Sequence, residues 1–446
     1  MTDMFEGLDE GQHKAVFTAS RHVLVVAPPG SGKTLTLASR AARLLSAGNA
    51  PEAILAITFT NRAAGELKER IERLTGIKSG LNISTLHSFS LKLLKDALPG
   101  LKHIGRQGSV EILKSLMRKN PEAALEKISA AKNLGLSGAD HELVKTIEAY
   151  DSELKRLNAI DLDGLLIEAV RILEQGKGPG FLKCLKHLLI DEFQDINLHQ
   201  ARLVGLLEKT GLSIFAIGDP DQAIYGFRGA GVEHFLDFQR DYPQAEVIRL
   251  KNNFRSGKEI VLASQAVIAN NGTRLENAVE TPKSNAEIRL VRCASEDSEA
   301  EFIVREIEKA MGGFGHLSIC EGIEGARFSD FAVLFRTNRQ ADSLADSFKR
   351  SSIPFHVAGP PGQGFWEFIE KLRLSSPEEG GTLVSHIRTQ AGLHGIDENT
   401  LSLFLQRAAQ YEGLTAKDAL NEFLDALLLF RPQDNIVIKA DKVNLL

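Results

Sequence analysis

Three stretches of the sequence hold residues able to do phosphate chemistry. In Ala27-Pro28-Pro29-Gly30-Ser31-Gly32-Lys33-Thr34 a loop with two glycines runs into a lysine and a threonine. Gly30 and Gly32 let the backbone bend so that successive N–H groups turn toward one anion. Lys33 adds a mobile ammonium, and the Thr34 hydroxyl is a ligand for Mg²⁺. The spacing is that of a Walker A loop, G-x-x-x-x-G-K-[ST], with Ala27 at the first glycine position. A methyl group is tolerated there if the residue stays extended. All eight residues are candidate contacts for a nucleotide, and an ordinary strand-to-helix turn is the competing account. The second stretch, Asp191-Glu192-Phe193-Gln194-Asp195, closes an apolar run. It suits a Walker B site, with Asp191 holding Mg²⁺ through water and Glu192 orienting and deprotonating a water for in-line attack at a γ-phosphate. Acidic residues at strand ends are commonly solvated turn residues, and the phosphate loop upstream is what favours catalysis here. The third stretch, Gly218 to Ala230, mixes Gln222, an amide able to sense a γ-phosphate, with Tyr225, Phe227 and Arg228. Its rings can offer faces to nucleobases or pack locally.

These groups need strands that end side by side. Val23 to Val26 reads as a strand and Leu35 to Leu45 as a helix, and Leu8 to Ser20 is a helix with Asp9 as its N-cap. Ile54 to Thr60, Ile83 to Phe89, Lys186 to Ile190, Leu212 to Ile217 and Glu246 to Leu250 are further short apolar runs, the first two followed by helical patterns. The alternation predicts an α/β fold with a parallel sheet and helices on both faces. From about Leu91 to Gly180 the pattern is helical, as in Ser109 to Lys119 and Glu142 to Leu157, which predicts an insertion. A boundary is expected in Asn270 to Asn285. A second sheet domain is expected from Ile288 to Arg292, Phe331 to Arg336 and Phe355 to Val357, with a helix at Asn338 to Arg350. Beyond Gly359-Pro360-Pro361-Gly362 the chain reads as helical until Asn435 to Lys439, and Lys442 to Leu446 opens one more apolar run.

Composition narrows the class. The 446 residues suffice for roughly three domains, and 43% hydrophobic content is enough for substantial cores. No apolar run approaches the ~18 residues that span a bilayer, and the N-terminus lacks the charged and apolar regions of a signal peptide, so cytoplasm is the expected location. Cys184, Cys293 and Cys320 form no paired motif and read as inert thiols. The formal charge of −5 argues against coating nucleic acid by bulk electrostatics but leaves room for a local basic groove.

Taken together, these stretches resemble the superfamily 1 DNA helicases of the UvrD, Rep and PcrA type, from Leu8 to about Gly359. Leu8-Asp9-Glu10-Gly11-Gln12 matches the family's adenine-reading motif, which implies that Gln12 reads the base. Thr58 to Ala64 and Thr85 to Ser88 match its DNA-contacting motifs, carrying Phe59, Asn61 and His87 over as strand contacts beside Tyr225, Phe227 and Arg228. Gly218 to Ala230 matches its coupling motif. Leu250 to Ser256 matches the next motif, which makes Arg255 an arginine finger and puts Phe254 against adenine. The family usually has tyrosine at Phe254 and tryptophan at Phe227, so stacking is kept and the polar handle lost.

The resemblance implies a RecA-like P-loop motor domain in two parts, 1–90 and 181–280, around a helical insertion, 91–180. The start of a second RecA-like domain would follow at 281–365, and a helical segment at 366–446. It implies ATP and Mg²⁺ as cofactors, single-stranded or tailed duplex DNA as partner, no membrane, and 3′ to 5′ movement. Family members continue, after a segment like Asp441 to Leu446, into a T-x-H-x-x-K-G-L-E motif and a second arginine-bearing motif. Neither occurs in the 446 residues. The expectation is a truncated chain with an incomplete second sheet, one of two arginine fingers and weak motor activity alone. A non-motor protein that binds nucleotide and DNA, or the motor fragment of a helicase–nuclease, is the alternative.

Overall fold

The computed structural model describes residues 3–117, 120–134, 140–226, 229–272, 275, 278–284, 286–312, 326–357, 363–378, 380–396, 398–411, 414–429 and 441–446. The chain divides into two units, Met1–Ile288 and Arg289–Leu446. In chain order the first contains α1 (Glu10–Phe17), β1 (His22–Val26), α2 (Lys33–Ser46), β2 (Ile54–Thr58), α3 (Asn61–Thr75), β3 (Asn82–Thr85) and α4 (Leu86–Ala97). It continues through β4 (Lys102–His103), α5 (Arg106–Leu116), α6 (Pro121–Leu134), α7 (His141–Arg156), β5 (Ala159–Ile160) and α8 (Leu162–Glu174), then β6 (His187–Ile190), α9 (Leu198–Glu208), β7 (Ser213–Gly218) and β8 (Glu246–Arg249).

Six of these strands form one parallel sheet in the order β3-β2-β6-β7-β1-β8. Every residue of β1 and β2 is buried, because helices cover both faces and the runs therefore need no polar alternation. Leu37 and Ala41 of α2 and Leu67 and Ile71 of α3 share a core with Val23, Val25, Ile54 and Ala56. A parallel sheet delivers all its strand C-terminal ends to one edge. The loops after β8, β1, β7, β6, β2 and β3 therefore lie along that edge in this order. One expectation is corrected here: the run Ile83 to Phe89 is a strand only as far as Thr85. The Thr85 hydroxyl accepts the Ser88 N–H at 3.1 Å, an N-cap that turns Leu86 to Phe89 into the start of α4.

Between β3 and β6 the insertion packs α5, α6 and α7 around Tyr150, Leu113 and Ile128, and adds a small parallel pair, β4 with β5. Its buried Lys132 meets Asp151 at 2.8 Å and Asp161 at 3.2 Å, which compensates a charge that would otherwise be costly to bury. The end of α6 is fastened to the sheet domain: Asn197 Nδ2 donates to Asn133 Oδ1 at 3.0 Å and His199 Nε2 to the Lys132 carbonyl at 2.8 Å.

The second unit is built on a three-stranded parallel sheet of β9 (Ala332–Val333), β10 (Phe355–Val357) and β11 (Val443–Leu445), ordered β10-β11-β9. The strand expected at Ile288 to Arg292 is not formed. A strand needs a neighbour for its backbone groups, and among the described residues none pairs with this run, whose Leu290 is fully exposed. Phe331 to Arg336 shortens to β9. The last apolar run instead becomes the central strand, with Val443 and Leu445 buried against Phe348 and Ile353. Helices Gln363–Leu374, Leu383–His394, Glu398–Ala408 and Ala416–Leu428 close around Phe368, Phe404 and Phe423. The run expected at Asn435 to Lys439, the turn Gly359 to Gly362 and Cys320 lie outside the described residues. Among the described residues no helix is long and apolar enough to cross a membrane.

Candidate functional site

The loop after β1 has the shape its glycines predict. Gly30 and Gly32 take φ of 73° and 81°, a left-handed conformation that side chains resist. Neither position has room for a side chain: a Cβ on Gly30 would meet Asn253 Oδ1 at 2.6 Å, and one on Gly32 would meet Gln12 Nε2 at 2.6 Å. Ala27 extends the β1–β7 ladder, its N–H donating to the Gly218 carbonyl at 2.8 Å, so glycine is not required there. Ser31 Oγ donates to the Pro28 carbonyl at 2.7 Å. Lys33 and Thr34 open α2.

Two flanking segments hold this loop. Gln12, 1% exposed, donates from Nε2 to the Ser31 carbonyl at 2.9 Å and accepts the Asp9 N–H on Oε1 at 3.0 Å. The carboxamide retains one N–H and one lone pair for a base. On the other side, Asn253 Nδ2 donates to the Pro29 carbonyl at 2.8 Å, while its Oδ1 accepts the N–H groups of Arg255 and Ser256 at 2.9 and 2.8 Å. Phe254 N–H reaches the Gly30 carbonyl at 2.9 Å, and Asn252 Nδ2 donates to Asp9 Oδ2 at 2.9 Å. Phe254 and Arg255 thus sit on the phosphate loop with exposed side chains.

The carboxylates come from the next strands along the edge. Asp191 N–H continues the sheet to the Ile57 carbonyl at 2.8 Å, and its buried carboxylate accepts the Glu192 N–H at 3.0 Å. Glu192 has φ 48°, a left-handed conformation uncommon without glycine. Its Oε2 stands 3.5 Å from Lys33 Nζ and accepts Gln194 Nε2 at 2.9 Å. Gln194 Oε1 accepts the Asp219 N–H at 3.0 Å, and Asp219 Oδ2 accepts Gln222 Nε2 at 2.8 Å. Burial pushes Asp191 well above the ordinary carboxylate range, and the Glu192 charge pushes it further. Burial and then Glu192 raise Asp195 to about 7. Asp219 is raised by burial against the pull of Lys33.

A corner with this much buried acid fits a divalent cation. Asp195 Oδ1 is buried without a hydrogen-bond partner, and Lys33 faces several carboxylates at once. Among the described residues no group of three or more His, Cys, Asp or Glu could hold a metal ion. A cation here would complete its shell from the Thr34 hydroxyl, water and phosphate oxygens, as Mg²⁺ commonly does.

Farther along the edge, Phe59 after β2 and Tyr225 after β7 stack on each other with centroids 5.0 Å apart and planes at 25°. Ser88 Oγ donates to Asn61 Oδ1 at 3.3 Å and bonds with Thr85 Oγ1 at 2.9 Å. His87 lies in the first turn of α4 and is buried. Phe227 and Arg228 lie outside the described residues. Spacing alone does not single out Gln194, Asp219 or Asn253. The available signal was a polar side chain within four residues of the end of an apolar strand.

Residues 8–132 and 102–243 match the UvrD/REP helicase N-terminal domain, and residues 248–370 match the UvrD-like helicase C-terminal domain. The ATP-dependent DNA helicase PcrA of Staphylococcus aureus (strain Mu50 / ATCC 700699) is 32% identical over 408 residues, covering 84% of this chain and 54% of its own length. That of Leuconostoc citreum is 32% identical over 398 residues, covering 82% and 52%. The chain therefore spans about half the length of the curated relatives it matches. A crystal structure of Pif1 helicase from Candida albicans covers 80% of this chain and 59% of its own at 15% identity and a TM-score of 0.34, a likeness too low to carry an argument. Family-model matches running from residue 8 to residue 370 make this chain a member of the UvrD-like helicase family.

Proposed function

We propose that this chain is the ATP-driven motor part of a DNA helicase or translocase whose hydrolysis is stimulated by single-stranded DNA and whose movement is 3′ to 5′. The observation that carries the reading is the Lys33–Glu192 contact at 3.5 Å beneath a loop with two left-handed glycines, on the same sheet edge as the Phe59–Tyr225 ring pair. In this reading residues 1–90 and 181–280 form the first motor domain, 91–180 its insertion, 281–365 the start of the second motor domain and 366–446 a helical segment, working in the cytoplasm.

Gln12 hydrogen-bonds the adenine edge and the Phe254 ring covers its face. The loop N–H groups and Lys33 take the phosphate charge, which draws Lys33 away from Glu192. Mg²⁺ held by Thr34 and Asp191 would neutralise charge that builds on the phosphate oxygens. Glu192, freed from its ion pair, accepts a proton from the attacking water, Gln222 contacts the γ-phosphate, and Arg255 meets the charge of the transition state. Phe59, Asn61, His87, Tyr225, Phe227 and Arg228 line the strand. Phosphate release measured with and without oligodeoxythymidine, beside strand displacement on 3′- and 5′-tailed duplexes, tests the proposal. Stimulated hydrolysis with displacement only on the 3′-tailed substrate is expected. Nucleotide and DNA binding without turnover would leave a non-motor binding protein.

A further inference from the structure

Gln194 has no part in the chemistry assigned above, yet both ends of its side chain are engaged and it is 1% exposed. Oε1 accepts the backbone N–H of Asp219 at 3.0 Å, and Nε2 donates to Glu192 Oε2 at 2.9 Å. From Asp219 the line continues to Gln222 at 2.8 Å, and three residues later the same loop ends in Tyr225, stacked on Phe59. The fit is close: a Cβ on Gly218 would stand 2.2 Å from Gln194 Oε1. Glu192 itself has little backbone freedom, with φ 48° and its N–H bound to Asp191 Oδ1 at 3.0 Å. What remains adjustable is the aim of its side chain, and Lys33 and Gln194 hold that.

We propose that Gln194 is a positioning residue that aims the Glu192 carboxylate according to the conformation of the Gly218–Tyr225 loop, so that nucleic acid engaging the Phe59–Tyr225 pair alters the readiness of the base. The inference rests on the reading of this chain as a DNA-stimulated ATPase. A planar carboxamide suits the task because it presents an acceptor to an N–H and a donor to a carboxylate on one rigid group. Displacing the Asp219 N–H displaces Oε1, and Nε2 must follow. Glutamate would keep the acceptor but set a negative charge against Glu192, in a corner that already holds Asp191, Asp195 and Asp219 facing Lys33. Methionine would match the length and make neither bond.

The test uses the full 446-residue chain and two variants, Gln194→Met and Gln194→Glu, with the melting temperature of each measured beside that of the parent. ATP turnover is followed with and without saturating oligodeoxythymidine, together with KM for ATP, oligonucleotide affinity and the pH profile. In Gln194→Met the DNA-stimulated kcat should fall roughly 10- to 100-fold, the effect of a misaimed catalytic group. KM and oligonucleotide affinity should move less than about twofold, as expected when only transition-state geometry is lost. In Gln194→Glu the acid limb of the stimulated rate should move to higher pH. If parent and Gln194→Met are stimulated alike with the same acid limb, the role of Gln194 is refuted while the function stands. A matched loss of kcat, substrate affinity and melting temperature in both variants also refutes it, since packing alone would produce that. If the parent is not stimulated by DNA, the proposed function fails and this inference falls with it.

Discussion

The two halves of one sheet edge are built by different means. Around the loops after β8, β1, β7 and β6, side chains are fixed by buried polar bonds: Gln12 of α1, Asn253 and Gln194 are 1%, 4% and 1% exposed, and each ties its own segment to a neighbouring loop or to the sheet. After β2 and β3 the contacts are hydroxyls that cap helices and a half-buried ring pair, in which Phe59 meets Tyr225 reaching across from the loop after β7. Phosphoryl transfer depends on groups held to a fraction of an ångström, whereas stacking on a base of any identity needs only a presented face. The nucleotide half is accordingly rigid and acidic, and the other half is looser and more apolar.

Substitutions in the rigid half should have the largest effects. Glu192→Gln keeps the shape and removes the base, so ATP hydrolysis should fall roughly 10²- to 10⁴-fold while titration with a fluorescent nucleotide shows binding intact. Parental turnover in the variant would remove Glu192 from the mechanism. Lys33→Ala deletes the cation that faces Glu192 and the buried aspartates, and a charge-assisted bond of ~1.5–3 kcal/mol predicts a loss of Mg-ATP affinity of about 10- to 150-fold. Unchanged affinity would mean that the nucleotide site lies elsewhere.

The same half should respond to pH. Asp191 and Asp195 are raised above their ordinary range, Asp195 to about 7, so the nucleotide-free folded protein binds more protons than the unfolded chain between about pH 4 and 7. Stability from these groups is complete below that window and is lost as pH rises through it. Mg²⁺ held by Asp191 would favour the ionised carboxylates. The gain in melting temperature on adding Mg-ATP should therefore be larger at about pH 7.5 than at about pH 5.5. An equal gain at both values would show that these carboxylates are already ionised in the empty site.

What could be read from the sequence divides along a similar line. Lys33, Thr34, Asp191 and Glu192 follow from spacing, because each belongs to a short motif at the end of its own strand. Gln194 and Asn253 do not, because their partners depend on which strands are neighbours: β6 beside β7, and β8 beside β1. Local patterns do not carry that order. The same limit explains the second unit, where the run Ile288 to Arg292 has strand-like residues but no partner strand among the described residues, while Val443–Leu445 gains two. The helical start of α4 was legible in principle. Thr85 and Ser88 carry an N-cap spacing that the apolar run Ile83 to Phe89 obscured.

The smallest effect is expected in the looser half, and it bears on how the ring pair works. Phe59 and Tyr225 already cover one face of each other without nucleic acid, so a base either stacks on an outer face or separates the two rings. Phe59→Leu and Tyr225→Leu keep apolar cover and remove one ring each. Each should weaken binding of a single-stranded oligonucleotide by roughly two- to tenfold, the worth of an aromatic pair, without changing Mg-ATP affinity. If a base separates the rings, the second substitution costs little once the first is made, because both serve one stack; bases on independent outer faces give additive losses. Fluorescence anisotropy at several salt concentrations reads both quantities. The slope of log affinity against log salt should match the parent, since no phosphate contact is removed. A shallower slope in either variant would mean that the ring pair supports a cationic phosphate contact, and the contrast between the two halves would then be one of charge.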